Sequence, residues 1–185
     1  QVAVIDVGKT TSKLALIDRS TGDTLATRSR ANEALAGPPY RHLDTDGIWA
    51  FLREGLRDFA AGHRIDGVTI TAHGATAVLM GEDGLAMPVL DYEDPAPERV
   101  AAAYEAVRPP FAETLSARLP GSLNAGAGIF WQAQTFPEAF ARVRAIIGYP
   151  QFWTWKMTGV VAGEVTSYGC HTDLWAPLEG EPSSL

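Results

Sequence analysis

The sequence predicts an α/β fold in which a mixed β-sheet begins with an antiparallel three-strand meander and is flanked by helices. Three observations support this fold class. The first thirty residues contain three β-rich runs that are separated by short turns. A strongly amphipathic run of helical period follows them, and another β-rich run comes directly after it. Most of the remaining chain has helical patterns.

The strands are predicted from apolar runs that end at turn residues. They are residues 2–5, 13–18, 23–30, 66–71, 77–80 and 87–90. Turns at Gly8 and Gly22 join the first three into the meander. The fourth strand is expected to be buried through Val68 and Ile70. The last two strands are expected to pair as a hairpin across residues 82–84.

The helices are predicted from apolar residues at helical spacing and from end signals. Asp44 or Thr45 caps the first helix, which continues to Gly62. The other predicted helices are residues 97–107, 111–119, 125–134, 137–147 and 151–157. Gly148 and Gly159 mark two helix ends. The tail after them is rich in turn residues, and we expect it to fray.

Composition excludes several classes of protein. The chain has 185 residues, which suits one domain or one large piece of a larger enzyme, and its 46% hydrophobic content excludes a disordered chain. A formal net charge of -7 argues against nucleic acid or an anionic membrane as a partner. One cysteine, Cys170, cannot form an internal disulfide, which indicates a reducing cytoplasm, and we expect it to be buried. No segment is typical of a signal peptide or a membrane span.

The turn after the first strand has the strongest chemical signal. Its Gly-Lys-Thr (residues 8–10) suggests a P-loop, but the glycine required five positions earlier is Ala3. A strand also follows where a P-loop needs a helix. The P-loop interpretation is therefore excluded.

A phosphate-binding hairpin is the alternative. Two of the three lysines in the chain, Lys9 and Lys13, lie in this turn region. Gly8 permits a turn whose backbone N–H groups can face an anion, and Asp6 at the strand end can hold Mg²⁺ through water molecules. Hydroxyl donors come from Thr10, Thr11 and Ser12. A plain polar turn with solvated lysines is the competing interpretation.

Residues 4–14, VIDVGKTTSKL, resemble the first phosphate motif of the FGGY carbohydrate kinases, whose pattern is Asp-x-Gly-Thr-Thr-Ser-x-Arg. Lys9 replaces the first Thr of the pattern and Lys13 replaces the Arg, so positive charge is kept. Further segments resemble the family in the same order along the chain. They are DGIW (46–49), ITAHGAT (70–76), VLDYED (89–94), Trp131, PE (137–138), Trp153, KMTG (156–159) and residues 164–172.

The resemblance implies a ribonuclease-H-like actin fold, shared with actin, hexokinase and the heat-shock chaperone ATPases. It identifies residues 1–185 as the N-terminal lobe of a sugar kinase. It also implies ATP and Mg²⁺ as cofactors, and transfer of the γ-phosphoryl group of ATP to a primary hydroxyl of a sugar or polyol. The residues that match the phosphate motif are Asp6, which would bind Mg²⁺ through water, Gly8, Lys9, Thr10, Thr11 and Lys13.

Two further segments are expected to contact the sugar. His73 and Thr76 match the substrate-facing loop of the family, although a hydrogen-bonded strand-end histidine is the structural alternative. The acidic and aromatic cluster is expected to line the sugar site through hydroxyl–carboxylate hydrogen bonds and contact with the ring. It consists of Asp91, Tyr92, Glu93 and Asp94. Its alternative role is an acidic helix start. These segments resemble rhamnulose and fuculose kinases more than glycerol kinase.

The resemblance places the general-base aspartate and the adenine-binding lobe after residue 185. No catalytic residue is therefore predicted in this chain, which is expected to be inactive or nearly so by itself. The expected partners are a sugar and the C-terminal lobe, with a homodimer possible and with no nucleic acid or membrane partner. Two alternatives remain open: a non-catalytic actin-like module that binds a sugar or nucleotide, and an unrelated α/β hydrolase or transferase.

Overall fold

The computed structural model describes residues 1–185, and the chain divides into two compact units. The first unit comprises Gln1–Leu35 and Leu43–His73. The second comprises Ala36–His42 and Gly74–Leu185. Each unit is described by itself below.

The first unit is built on a four-stranded mixed sheet in the order β3-β2-β1-β6. The elements up to this sheet's last strand are β1 (Val2–Val7), β2 (Thr11–Ile17), β3 (Thr24–Ala31), β4 (Ala34–Leu35), β5 (His42–Leu43), α1 (Thr45–Gly62) and β6 (Gly67–Ala72). Strands β1, β2 and β3 are antiparallel neighbours, and β6 is parallel to β1. The meander and the mixed sheet expected from the sequence are thus confirmed.

Side chains alternate between the two faces of this sheet, and one of these faces packs into the core. Ile5 lies opposite Leu14 in the β1–β2 register, and both are fully buried. Helix α1 packs against β2 and β3, where a Cβ on Gly55 would lie 2.6 Å from Leu14 Cδ2. The expected cap is confirmed, because the Asp44 carboxylate accepts a hydrogen bond from the Gly47 N–H at 2.9 Å.

The expectation that β6 is buried through Val68 and Ile70 is wrong, because neither residue is fully buried. Val68 is 43% exposed, and Ile70 is half-buried. Strand β6 is the last strand in the sheet order, whereas α1 contacts β2 and β3. An edge strand therefore keeps apolar residues without being covered.

The second unit combines short helices with two-stranded sheets. Its elements are β7 (Ala77–Met80), a 3-10 helix (Ala96–Val100), α2 (Ala101–Glu105), α3 (Phe111–Thr114), α4 (Ala125–Thr135), α5 (Pro137–Phe140), β8 (Ala145–Gly148), α6 (Tyr149–Thr158), α7 (Val165–Tyr168), β9 (Trp175–Ala176) and β10 (Glu181–Pro182). A buried cluster includes Tyr40, Leu79, Leu90, Ile129 and Trp131. None of the helices combines the length and the apolar character that crossing a bilayer requires.

The predicted hairpin has the right turn but the wrong partner strand. The Gly81 N–H donates to the Gly84 carbonyl at 2.6 Å, so the turn forms. Strand β7 then pairs along its length with β8, from Ala77↔Gly148 to Met80↔Ala145. Residues 87–90 form no strand. The helix predicted for residues 137–147 is consequently too long, because its last three residues belong to β8.

Other differences have local causes. The helix predicted for residues 97–107 is a 3-10 turn followed by α2. Helix α3 ends at Thr114 because Leu115 takes a left-handed conformation with φ of 54°. The tail does not fray, since the Ser183 N–H donates to the Leu174 carbonyl at 3.0 Å and β10 pairs with β9. Cys170 is exposed rather than buried.

Candidate functional site

The turn that joins β1 to β2 is closed by its own backbone. The Gly8 N–H donates to the Thr11 carbonyl at 3.0 Å, and a Cβ on Gly8 would lie 2.9 Å from the same oxygen. Gly8 does not have a positive φ. A glycine is therefore needed here for close approach rather than for a left-handed turn. The Gly8 N–H is already hydrogen-bonded within the turn, so any anion bound by this loop would be contacted by other groups.

Asn32, which sequence reasoning missed, fastens this turn from the end of β3. Its N–H donates to the Thr10 carbonyl at 2.9 Å, and its Nδ2 donates to the Gly8 carbonyl at 2.9 Å. Its Oδ1 accepts from Ser12 Oγ at 3.0 Å. Ser12 is fully buried, so the expectation that its hydroxyl serves an anion is wrong. Nothing in the sequence indicated this role, because these hydrogen bonds exist only in the folded hairpin.

The sheet register places the charged groups of the hairpin. Asp6 lies opposite Lys13 in β2 and opposite Thr71 in β6. Because the fully buried residues of β1 alternate (Ala3, Ile5 and Val7), the half-buried Asp6 belongs to the other face. Lys13 is exposed and Lys9 is half-buried, and both follow this carboxylate closely. The hairpin thus carries a carboxylate with one lysine opposite it in the sheet and a second lysine in the turn.

The hydroxyls that follow Gly8 differ in exposure. Thr10 is exposed at the tip of the turn. Thr11 is half-buried at the start of β2. Both therefore keep surface beside the lysines, unlike Ser12. The residues that match the phosphate motif and remain accessible are Asp6, Lys9, Thr10, Thr11 and Lys13.

His73 lies at the same edge of the sheet as this hairpin. Its N–H donates to the Val7 carbonyl at 3.1 Å, which extends the parallel β1–β6 pairing by one residue. The carboxyl ends of parallel neighbours meet at one edge, so His73 follows β6 beside the point where β1 ends. The structure therefore brings His73 and the hairpin together within the first unit. Whether His73 contacts a sugar stays a prediction.

Thr76 and Tyr92 line a small cavity in the second unit. The cavity has a volume of about 10 Å³, which is room for roughly one water molecule. It is lined by Ala75, Thr76, Ala77, Leu90, Tyr92, Ser122, Ala125, Gly128, Ile129 and Gln132. Ala75 has a φ of 57°, and such a conformation in a non-glycine residue is typical of loops that place functional side chains. Two of the residues predicted to contact the sugar are thus brought together here.

The acidic cluster is split between two roles. Asp91 is fully buried, with its Oδ2 2.9 Å from Arg41 Nε and its Oδ1 accepting from the Glu93 N–H at 3.1 Å. Asp94 accepts from the Ala96 N–H at 2.8 Å and from the Arg41 N–H at 3.1 Å. These bonds hold the loop and the start of the 3-10 helix in place. For Asp94, the alternative role at a helix start is therefore the one observed. Arg41 had no signal in the sequence.

The other two residues of the cluster are more accessible. Glu93 is exposed, and its Oε2 lies 4.0 Å from Arg41 Nη2. Tyr92 is half-buried. Burial raises the pKa of the Tyr92 phenol, and the charges of Glu93 and Asp91 raise it further. The phenol is therefore a neutral hydrogen-bond donor at ordinary pH.

Comparison with known proteins gives the family. The sequence model of the N-terminal domain of the FGGY family of carbohydrate kinases matches residues 1–172. The chain belongs to the FGGY family of carbohydrate kinases. The crystal structure of a carbohydrate kinase from Novosphingobium aromaticivorans is 38% identical, with a TM-score of 0.90 over 98% of this chain. No curated protein sequence matches this chain.

More distant FGGY structures share the fold. Xylulose kinase from Lactobacillus acidophilus is 16% identical with a TM-score of 0.78, over 94% of this chain and 36% of its own. Glycerol kinase from Plasmodium falciparum, solved with ADP, is 14% identical with a TM-score of 0.77, over 98% of this chain and 39% of its own. The actin-like kinase fold implied by the sequence is thus confirmed. This chain spans 39% of the Novosphingobium kinase.

Proposed function

We propose that this chain is the phosphate- and sugar-binding lobe of an ATP-dependent carbohydrate kinase. The enzyme transfers the γ-phosphoryl group of ATP to a primary hydroxyl of a sugar or polyol. Membership of the FGGY family supports a kinase. The observation that carries the proposal is the β1–β2 hairpin, where Asp6 lies opposite Lys13 at the edge that also holds His73. A plain polar turn would not need this combination of a carboxylate, two lysines and a turn fastened by Asn32.

The hairpin residues fit a nucleotide phosphate chain with its metal ion. No group of three acidic, histidine or cysteine residues could hold a metal by protein ligands alone. Mg²⁺, however, takes one or two carboxylates and completes its shell with water and substrate phosphates, which suits the single Asp6. Lys9 and Lys13 add positive charge, and Thr10 and Thr11 add hydroxyl donors. When bound, the magnesium nucleotide supplies the phosphoryl group and neutralises its developing charge.

The remaining predicted residues would bind and orient the acceptor. Tyr92 can donate a hydrogen bond, and Glu93 and Thr76 can accept one from a sugar hydroxyl. His73 offers a ring nitrogen at the end of β6. Asp91 and Asp94 would act by holding this loop in place, since their carboxylates already bind Arg41 and backbone N–H groups. Positioning of this kind contributes much of the acceleration in phosphoryl transfer.

The general base and the adenine site belong, in this proposal, to a C-terminal lobe that partners this chain. The isolated chain would then phosphorylate nothing at a useful rate. We also propose a cytoplasmic location, where ATP is available, and leave the homodimer as a prediction. The resemblance to rhamnulose and fuculose kinases makes ketoses the first acceptors to test.

The test is a screen of ketoses and polyols with ATP and Mg²⁺, using this chain joined to its C-terminal lobe. We expect a sugar phosphate, detected by ³¹P NMR. Asp6→Asn should lower kcat by about 100-fold or more, because removing one preorganised charge typically costs that much. Lys13→Ala should raise the KM for ATP. Lys156→Ala is the matched control, since Lys156 lies over the Phe152 and Trp155 rings, and it should leave both constants unchanged.

Two outcomes would contradict the proposal. Tight binding of a sugar or nucleotide with no phosphorylated product would favour the non-catalytic module. Full activity of Asp6→Asn would show that the hairpin is only a turn.

A further inference from the structure

The cavity of the second unit contains a buried hydroxyl group without a partner. Ser122 is 2% exposed, and its Oγ forms no hydrogen bond with any protein group. Buried hydroxyls are nearly always paired, because an unpaired one loses its hydrogen bonds to water and gains nothing. A serine in this position is therefore destabilising unless a water molecule or a ligand hydroxyl binds it.

The space beside this hydroxyl is kept open by a glycine. A Cβ on Gly128 would lie 3.4 Å from Ser122 Oγ and 2.9 Å from Leu90 Cδ2. Gly128 belongs to the face of α4 that lines the cavity, together with Ala125, Ile129 and Gln132. The lining is mostly apolar with a few polar groups, as in sites that bind small molecules. The volume of about 10 Å³ accepts a single hydroxyl group, not a whole ring.

The loop that carries Ser122 is firmly held. Asn124 is fully buried; its Oδ1 accepts from the Leu119 N–H at 2.7 Å, and its Nδ2 donates to the Ala117 carbonyl at 3.0 Å. The same Nδ2 lies 3.2 Å from Asp173 Oδ1, which is paired with Arg108. The unpaired hydroxyl is thus not the result of a loose loop. It is positioned, as residues that recognise a ligand are.

We propose that Ser122 determines acceptor specificity by forming a hydrogen bond with one hydroxyl group of the sugar or polyol. That hydroxyl occupies the cavity beside Thr76 and Tyr92. The inference rests on the proposed kinase function and adds a residue to it. Acceptors that carry hydrogen in place of this hydroxyl leave Ser122 unpaired in the complex, so the site selects against them.

The test pairs one substitution with a set of substrates. The two-lobe kinase and its Ser122→Ala variant are assayed with the best acceptor and with each of its monodeoxy analogues. We expect Ser122→Ala to raise the KM for the parent acceptor by roughly 2- to 12-fold, the range of one hydrogen bond, with kcat within about twofold. One monodeoxy analogue should be penalised by the wild type and accepted equally by the variant and the wild type.

Stability separates recognition from a structural role. Removing an unpaired hydroxyl should leave the Tm of Ser122→Ala unchanged or raise it. Ser116→Ala is the matched control, because Ser116 is equally buried but its Oγ accepts from Asn124 Nδ2 at 3.1 Å. That variant should lose Tm and keep the wild-type ranking of the deoxy analogues.

A second variant tests the cavity from its other wall, independently of the Ser122 side chain. Gly128→Ala places a methyl beside Ser122 and should raise the KM for the parent acceptor more than for the discriminating analogue. An active wild type whose preference among all monodeoxy analogues survives both substitutions would overturn the role of Ser122 alone. A fall in the Tm of Ser122→Ala would do the same. An inactive wild type would overturn the proposed function and this inference together.

Discussion

The β1–β2 hairpin and the cavity beside Ser122 are held in place by different kinds of interaction. The hairpin is fixed by neutral hydrogen bonds among β1, β2 and Asn32, all from the first thirty-two residues. The cavity is fixed by buried charges, such as Asp173, which pairs with Arg108 65 residues earlier. Neutral local bonds give a turn that folds with its own strands. Buried charges give a loop whose geometry depends on distant segments meeting correctly, and such pairs are costly to break.

The largest expected effect is on the cavity. Asp173→Ala removes the partner of Arg108, whose side chain is 8% exposed, and leaves that cation buried. We expect a loss of about 3–5 kcal/mol in the free energy of unfolding, measured by denaturant titration. Glu105→Ala is the control, because Glu105 is exposed and lies 3.9 Å from the same arginine; it should cost less than about 1 kcal/mol. Equal losses of unfolding free energy in Asp173→Ala and Glu105→Ala would contradict the claim that a buried ion pair fixes the cavity.

Alkaline pH should weaken the second unit next. Burial raises the pKa of Tyr40 to about 12, and the phenol donates to the Pro88 carbonyl at 2.6 Å. The folded state keeps this proton above pH 10, where the unfolded state loses it. Stability from Tyr40 is therefore complete below about pH 10 and falls by about 2–3 kcal/mol as the pH approaches 12. The difference in unfolding free energy between the wild type and Tyr40→Phe should shrink over this interval, and a constant difference would contradict the assignment.

The smallest effect on stability is expected at the hairpin, where a substitution should change the KM for ATP but not the KM for the acceptor. Asn32→Ala removes the bonds to the Gly8 carbonyl and Ser12 Oγ, which should cost about 1–2 kcal/mol. It should raise the KM for ATP and leave the KM for the acceptor unchanged, the reverse of Ser122→Ala. Glu33→Ala, an exposed neighbour, is the control. If both KM values rose together in Asn32→Ala, the two regions would not be independent.

Local pattern was sufficient for most of the first unit. The meander and α1 with its Asp44 cap follow from short-range periodicity and turn chemistry, and both are confirmed. The second unit depends on long-range pairing. Strand β7 finds its partner in β8, and the apolar residues 145–147 fit a helix or a strand equally well when only their hydrophobicity is considered.

The same limit applies to the site. The motif residues of the hairpin could be found from their types and order. Asn32, Arg41 and Ser122 could not, because their importance comes from hydrogen bonds, ion pairs or burial that only the folded chain creates. The three carboxylates of residues 91–94 looked alike in sequence, and only burial distinguishes Asp91 and Asp94 from Glu93.

The split within residues 91–94 has a practical consequence for changing what this lobe accepts. Tyr92 and Glu93 can be randomised in a directed-evolution library, since neither carboxylate that anchors the segment is touched. Libraries that include Asp91 or Asp94 would contain more destabilised clones, because Asp91 binds Arg41 and Asp94 binds the N–H at the start of the 3-10 helix. Four adjacent codons thus divide into two that can be varied and two that are better kept.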